Sequence, residues 1–536
     1  MDNTVEVHPS EIKNMAEKTL RKYPHLITIT PIHLDEELKI IYTFDDLKGN
    51  LKHVITYIPV NSPKIDSITD VTPAALVYEM ETKDLFGIKF QNSYTSSKLI
   101  LPDCYSDNLP APLLKTTKLK SLREKLSNHC IQNGIIDVST DAIKYEGESI
   151  VTVPFGPYHP ALKEPEHFAI VLKGEKVVDV FPRIGYAHRG VEKLCETRPF
   201  HDVLYLVERV CGICSFAHSW AYTLAVEELT GIKAPRRAEY LRTIVAELER
   251  IHSHVMWIGL LGYWAGFETM FMWIWGIREK IMHLLELITG NRVNASFITI
   301  GGTVTDVSEE KLNEVKKVVK TFEDFAEELM DALFSYDPLV ERMKKIGVYD
   351  SKKAIKYGAT GPVIRATGVP NDIRKIEPYG AYEELPWDVV TKDGGDVFNV
   401  TTLRMYEVLE SSRIIIEAIE NIPSGNPTPK RFFSRRIKDG EAIGRVEAPR
   451  GELFDYVMAK NSKNPYRVRI RTPTFANLIF TSNLLKGSTL SDVPLILTTM
   501  DPCFACLDRS LELKKLFEKS EVATYIKQAW RNMHGL

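Results

Sequence analysis

Four of the seven cysteines in this chain stand in two pairs of identical spacing. Cys211 and Cys214 lie in "VERVCGICSFAHS" (207–219), and Cys503 and Cys506 in "MDPCFACLDR" (500–509). Thiolates are soft donors that suit nickel, iron, copper(I) or zinc rather than magnesium or calcium. Such pairs are compatible with a structural zinc site, a dithiol redox centre, a four-thiolate iron–sulfur cluster, or core cysteines with no common role. Structural zinc staples a small module, so its pairs usually fall within about 20 residues of each other. Here 288 residues lie between Cys214 and Cys503. A dithiol redox centre needs only one pair. Arg209 before the first pair and Arg509 after the second are cations of the kind that favour deprotonated, metal-binding sulfur.

The rest of the composition narrows the setting. At 536 residues the chain is long enough for two or three domains. A formal net charge of −3 gives no basic field to attract nucleic acid. Seven cysteines are too few, and odd in number, for a disulfide-stapled secreted protein. The opening residues "MDNTVEVHPSEIKNMAEKTLRKY" lack the basic start and apolar run of a signal peptide. A reducing cytoplasm is the expected home.

Elements that would position the cysteines are legible as periodic patterns, and together they predict an α+β fold in two parts. "HLITITPIHL", "LKIIYTF" and "LKHVITYIPV" read as strands over 25–34, 38–44 and 51–60. Helices are expected over 9–22 and about 72–84, giving a small α+β domain over 1–105. Residues 106–130, with prolines and a run of lysines, read as a linker. A larger, mainly helical domain with peripheral short strands follows over 131–509, opening with strands in "GESIVTVPFG" and "FAIVLKGEKVVDVF". Long helices are expected over 236–255 and 255–288. Another is expected after an N-cap at Ser308, with apolar positions Leu312, Val315, Val319, Phe322, Phe325 and Leu329. "DVFNVTTLRMYEVLESSRIIIEAIENI" reads as a further helix, and "RVEAPRGELFDYVMA" and "YRVRIRTP" as closing strands. Residues 510–536 form a tail. The stretch 255–277, "VMWIGLLGYWAGFETMFMWIWGI", is long and apolar enough for a membrane span. Its central Glu268, its evenly spread aromatics and the lack of a second such span favour a helix buried in the core.

The two cysteine motifs, "RVCGICSFAHS" and "DPCFACLDR", resemble the paired signatures of the nickel–iron hydrogenase large subunit. Arg509, where many of those enzymes carry His, is similar to the energy-converting hydrogenases related to respiratory complex I. "GPYHPALKEPEHF", "GYAHRGVEKLCETRPF", "ERIHSHVMWIGLL", "GATGPVIRATGV" and "EAPRGELFDYV" extend the likeness over about 150–509. "EMETKDLFGIKFQNSYTSSKLILPDCY" (79–105) resembles the signature of the complex I 30-kDa subunit, a fusion similar to the large subunit of formate hydrogenlyase.

The resemblance implies roles for particular residues. Cys211 and Cys503 would bind nickel alone, and Cys214 and Cys506 would bridge nickel to an iron carrying carbon monoxide and cyanide. Glu164, in "LKEPE", matches the glutamate that passes protons to a terminal cysteine. Arg450, in "EAPRGE", matches the arginine above the open metal position. Pro473 and Thr474, in "RTPTF", match the pair beside a cyanide, to which a Thr hydroxyl can donate. Glu192, in "HRGVE", matches a carboxylate that binds a separate divalent ion, magnesium, in some hydrogenases. Arg509 puts that ion in question, and a Glu192–Arg509 ion pair is the expected substitute. His159 and His188 match residues of the complex I quinone cavity and are expected to be structural or part of a proton path. His252 and His254 are read as buried, satisfied histidines, and Cys104, Cys130 and Cys195 as ordinary cysteines outside the metal set.

The implied function is the catalytic large subunit of a membrane-associated hydrogenase that interconverts protons, electrons and hydrogen. Its implied partners are an iron–sulfur small subunit similar to the complex I 20-kDa subunit, antiporter-like membrane subunits, nickel-insertion proteins and a maturation protease acting after Arg509. Attachment to the cytoplasmic face of the membrane would come through partners. A complex-I-like quinone-binding scaffold without metal chemistry explains "GPYHP", "HRGVEK" and the N-terminal module equally well, but not two intact cysteine pairs. A membrane protein built around 255–277 is the third reading.

Overall fold

A computed structural model describes residues 3–508 apart from 94–97, 103, 107, 119, 123, 127–149, 188 and 431–434. The predicted tail over 510–536, Arg509, Cys130 and His188 lie outside the described residues.

In the N-terminal part, three strands, His25–Leu34, Glu37–Asp45 and Leu51–Pro59, pair antiparallel in sequence order. Thr4–Glu6 adds a parallel edge strand beside Leu51–Pro59. Ile29, Ile40, Tyr42 and Val54 pack in one cluster with Ile12 of the helix Ile12–Leu20 and with Ala75 and Tyr78 of the helix Ala75–Phe86. Ile27, Ile32, Ile41 and Ile55 form a second cluster with Phe454, Tyr456 and Met458 of the strand Gly451–Ala459. Burial on both faces explains why these strands alternate only partly in sequence.

Several described residues of the stretch read as a linker pack against the fold. Leu113, Leu122 and Leu126 are buried. The Lys115 N–H donates to His33 Nδ1 at 2.8 Å, and its ammonium pairs with Glu196 at 2.9 Å. The leucines spaced among the lysines supply the apolar surface that holds this segment down. Cys104, read as an ordinary cysteine, is disulfide-bonded.

The larger part is built on long helices. Arg236–Trp264 packs against both Glu268–Thr289 and Val397–Asn421, and the last also packs against Glu309–Phe334. Ser308 caps Glu309–Phe334 through the Lys311 N–H, and its six predicted apolar positions are buried. A three-stranded antiparallel sheet, Gly440–Ala448, Gly451–Ala459 and Arg467–Arg471, lies under the helix Ser215–Thr230. Close approach there depends on Gly444, where a Cβ would fall 1.9 Å from the Ala221 carbonyl oxygen. A second such sheet comprises Ile150–Phe155, His167–Lys173 and Lys176–Arg183.

The apolar stretch 255–277 is not one buried helix. Arg236–Trp264 ends there, Gly266 takes φ +87°, and Glu268–Thr289 starts a new helix that folds back. Glycines at 259 and 262 face Ile274 and Met270 across the hairpin, so the helices meet closely. Tyr263, Met272 and Trp273 remain exposed. No helix among the described residues is long and apolar enough to cross a membrane.

Candidate metal centre

Each cysteine pair spans a loop-to-helix junction. Cys214 precedes the helix Ser215–Thr230, and Cys503 precedes the short helix Phe504–Leu507. Glu249 holds the first junction from the neighbouring helix. Its carboxylate accepts the Phe216 N–H at 2.7 Å and the Ala217 N–H at 3.1 Å, while burial raises its pKa to about 8. The second junction is held by Thr472, whose hydroxyl donates to the Cys506 carbonyl at 3.1 Å.

These junctions bring the four sulfurs together. Cys211 Sγ is 3.3 Å from Cys503 Sγ, and the sulfurs of Cys211, Cys214 and Cys506 all lie within 4.8 Å of one another. All four are buried free thiols. Burial raises a thiol pKa, but hydrogen bonds from the other three cysteines and the charge of Arg450 hold Cys211 well below its usual range. The backbone N–H groups of Ile213 and Cys214 also donate to its sulfur, at 3.2 Å each. Cys214, Cys503 and Cys506 are displaced upward, the first two chiefly by hydrogen bonding to Cys211 and the last chiefly by burial. Four converging buried sulfurs with the Arg450 charge beside them make a soft-metal donor set, and its chemistry fits nickel and iron.

Predicted neighbours fall into two groups. Glu164 reaches the sulfurs: its Oε2 accepts the Ala505 N–H at 2.7 Å and lies 4.0 Å from Cys503 Sγ. Thr474 Oγ1 accepts the Cys503 N–H at 3.4 Å, and Pro473 is the first residue of the helix Pro473–Leu484, capped by Thr472. Arg450 is buried, with Nε donating to the Asp501 carbonyl at 2.7 Å and Nη2 to the Asp501 carboxylate at 3.1 Å. Its Nη1 makes no hydrogen bond among the described residues. Although burial opposes its charge, Asp501 and the cysteines hold its pKa well above the ordinary arginine value.

Glu192 is engaged elsewhere. Arg467 lies 2.7 Å from its carboxylate and Arg469 3.6 Å, and the Ile470 N–H donates to it at 3.1 Å. Arg509, its expected partner, lies outside the described residues; among those described, arginines two apart on one face of the strand Arg467–Arg471 reach Glu192. His159 stacks on Phe155 with ring centroids 3.8 Å apart. His254 pairs with Glu407 at 2.7 Å, and His252 meets Arg278, so neither belongs to the sulfur cluster.

Two residues near the centre, Asp501 and His218, had no role in the sequence reading. Asp501 collects Lys163 at 2.8 Å, Arg450 at 3.1 Å and Arg404 at 3.4 Å. These cations outweigh burial and hold its carboxyl far below the usual range. His218 Nε2 lies 3.6 Å from Cys506 Sγ. Its place one helical turn after Cys214 was the available signal. For Asp501 the signal was adjacency to Pro502 and Cys503.

Comparison with known proteins agrees with this geometry. The family models for the respiratory-chain NADH dehydrogenase 49 Kd subunit and 30 Kd subunit match residues 265–434 with 430–509, and 5–122. The nickel-dependent hydrogenase model matches 189–261. The membrane-bound hydrogenase subunit alpha of Pyrococcus furiosus is 40% identical over 380 residues, covering 68% of this chain and 89% of that protein. Formate hydrogenlyase subunit 5 of Escherichia coli is 34% identical over 475 residues, covering 87% and 81%. A chain in the structure of the membrane-bound sulfane sulfur reductase, an archaeal respiratory membrane complex, superposes with a TM-score of 0.65 at 33% identity, covering 68% of this chain and all of that one. The chain therefore belongs to the family of complex-I-related nickel–iron hydrogenase large subunits, and carries a 30-kDa-subunit domain fused ahead of the catalytic one.

Proposed function

We propose that Cys211, Cys214, Cys503 and Cys506 hold a nickel–iron centre, and that the chain interconverts hydrogen with two protons and two electrons. The observation that carries this reading is the convergence of four buried free thiols from two distant C-x-x-C pairs. When bound, the metal pair supplies the redox-active position at which hydrogen is split or formed, with its iron carrying carbon monoxide and cyanide.

The protein's own groups handle the proton and the charge. Glu164, 4.0 Å from the Cys503 sulfur and fixed by the Ala505 N–H, takes a proton from that sulfur and returns it. Arg450, kept cationic by Asp501, offsets negative charge on the thiolates in a site closed to water. Thr474 and Pro473 would meet the cyanide on the iron, with the Thr474 hydroxyl as a hydrogen-bond donor. Electrons pass to a separate iron–sulfur subunit. The chain works as a peripheral member of a membrane complex on its cytoplasmic side, with antiporter-like subunits, after nickel insertion and proteolytic maturation. The working division is 1–105, 106–130, 131–509 and the tail 510–536.

The test is metal analysis with infrared spectroscopy on protein purified from its own host. Nickel near one per chain, with sharp carbonyl and cyanide bands, supports the proposal. Zinc alone, from a host able to insert nickel, overturns it in favour of a quinone-binding scaffold.

A further inference from the structure

Glu192 matches a carboxylate that in some hydrogenases holds a divalent ion, so the donor set around it decides whether such an ion fits here. Magnesium and calcium require several oxygen donors arranged around the ion. Against the Glu192 carboxylate stand the guanidinium of Arg467 at 2.7 Å, that of Arg469 at 3.6 Å, and the Ile470 N–H at 3.1 Å. All are donors, two carry positive charge, and both arginines and the glutamate are buried. A divalent cation would meet repulsion from the two guanidinium groups already paired with the carboxylate. This surrounding does not fit the ion.

The charge balance also extends into the N-terminal domain. Arg469 Nη2 is 2.6 Å from the Glu81 carboxylate, on the helix Ala75–Phe86. Glu81 is itself buried. The formal charges of Glu81, Arg469, Glu192 and Arg467 cancel. Two of the four come from one strand, one from the segment after "HRG", and one from the fused domain. That strand runs directly into Thr472 and Thr474, which bond to the backbone of Cys506 and Cys503.

We propose that Arg467 and Arg469 serve as the resident counter-cations of Glu192 in place of a divalent ion, and that the N-terminal domain completes this arrangement through Glu81. The fused domain is then part of the electrostatic frame around the metal centre as well as a docking module. The ion content rests on the two buried arginines paired with Glu192; only the link to nickel rests on the function proposed above.

The test uses the intact complex from its host, passed through chelator and magnesium-free buffer. Magnesium, calcium and nickel are counted by mass spectrometry. The expected result is less than about a tenth of a magnesium or calcium ion per chain. A tightly held ion near one per chain, lost in Glu192→Gln, overturns the proposal. Thermal unfolding supplies the second reading. Glu81→Gln lowers the midpoint, and Glu81→Gln/Arg469→Gln, which restores neutrality, recovers at least half of the loss. A double variant as unstable as the single one refutes the role of Glu81. Nickel-free protein with the same low magnesium count would sink the hydrogenase reading while supporting this one.

Discussion

Arg450 grips Asp501 twice, through the carbonyl at 2.7 Å and the carboxylate at 3.1 Å, and so joins the turn after the strand Gly440–Ala448 to the loop that carries Cys503. Asp501 sits at φ +51°, a conformation costly for a residue with a side chain. Ion pairing to Lys163 and to the buried Arg450 and Arg404 offsets that cost. Asp501→Asn removes the charge that Arg450, Lys163 and Arg404 share. The expected loss is about 3–5 kcal/mol, read as a lower denaturant midpoint, because uncompensated charge stays buried. A change under about 0.5 kcal/mol would show that the cations find other partners.

Glu164→Gln keeps an acceptor for the Ala505 N–H but cannot carry a proton. Hydrogen turnover is expected to fall by roughly 10²–10⁴ with nickel content unchanged. Equal loss of nickel and activity would assign Glu164 to metal assembly instead.

Cys506→Ser replaces a soft donor by a hard one at the heart of the cluster. Nickel and the infrared bands are both expected to vanish, while far-ultraviolet circular dichroism stays unchanged. Nickel retained at one per chain would remove Cys506 from the ligand set.

Glu79 supplies a pH test remote from the metal. Burial raises its pKa to about 7, against favourable bonds from the Ile68 N–H at 2.8 Å and the Ser67 hydroxyl at 2.7 Å. A carboxyl raised in the folded state binds its proton more tightly there than in the unfolded chain. Stability is therefore full below the unfolded value and falls as pH rises through about 7, by roughly 3 kcal/mol in total. Glu79→Gln is expected to flatten this part of the stability–pH curve. An unchanged slope would place the titration elsewhere.

Local chemistry was the readable part of the sequence. The strands of the N-terminal sheet, the Ser308 cap and both cysteine pairs follow from adjacent residues, and the structure holds them near the expected bounds. Glu164 and Arg450 were visible only through motif likeness, since their partners lie 341 and 51 residues away. Adjacency to Cys503 marked Asp501, but nothing local marked the cations gathered on it or the Arg467–Glu192–Arg469 arrangement. Charged residues in a sequence read as surface, and only the fold shows which of them are buried together. The hairpin at Gly266 was missed because a continuous apolar run hides a turn that one glycine makes.

The sheet face built from Ile27, Ile32, Ile41 and Ile55 is covered by Phe454, Tyr456 and Met458, with Ile443 and Tyr466 packed beside them. During synthesis, roughly four hundred residues must still be made after the first partner emerges from the ribosome. At typical rates that is about 20–80 s in which an isoleucine-rich surface has no native cover. The same delay applies to sulfur, since Cys211 is finished long before Cys503 exists. Chaperone engagement of the nascent chain, and the moment at which all four sulfurs can meet a metal, are thus set by the order in which the polypeptide is written.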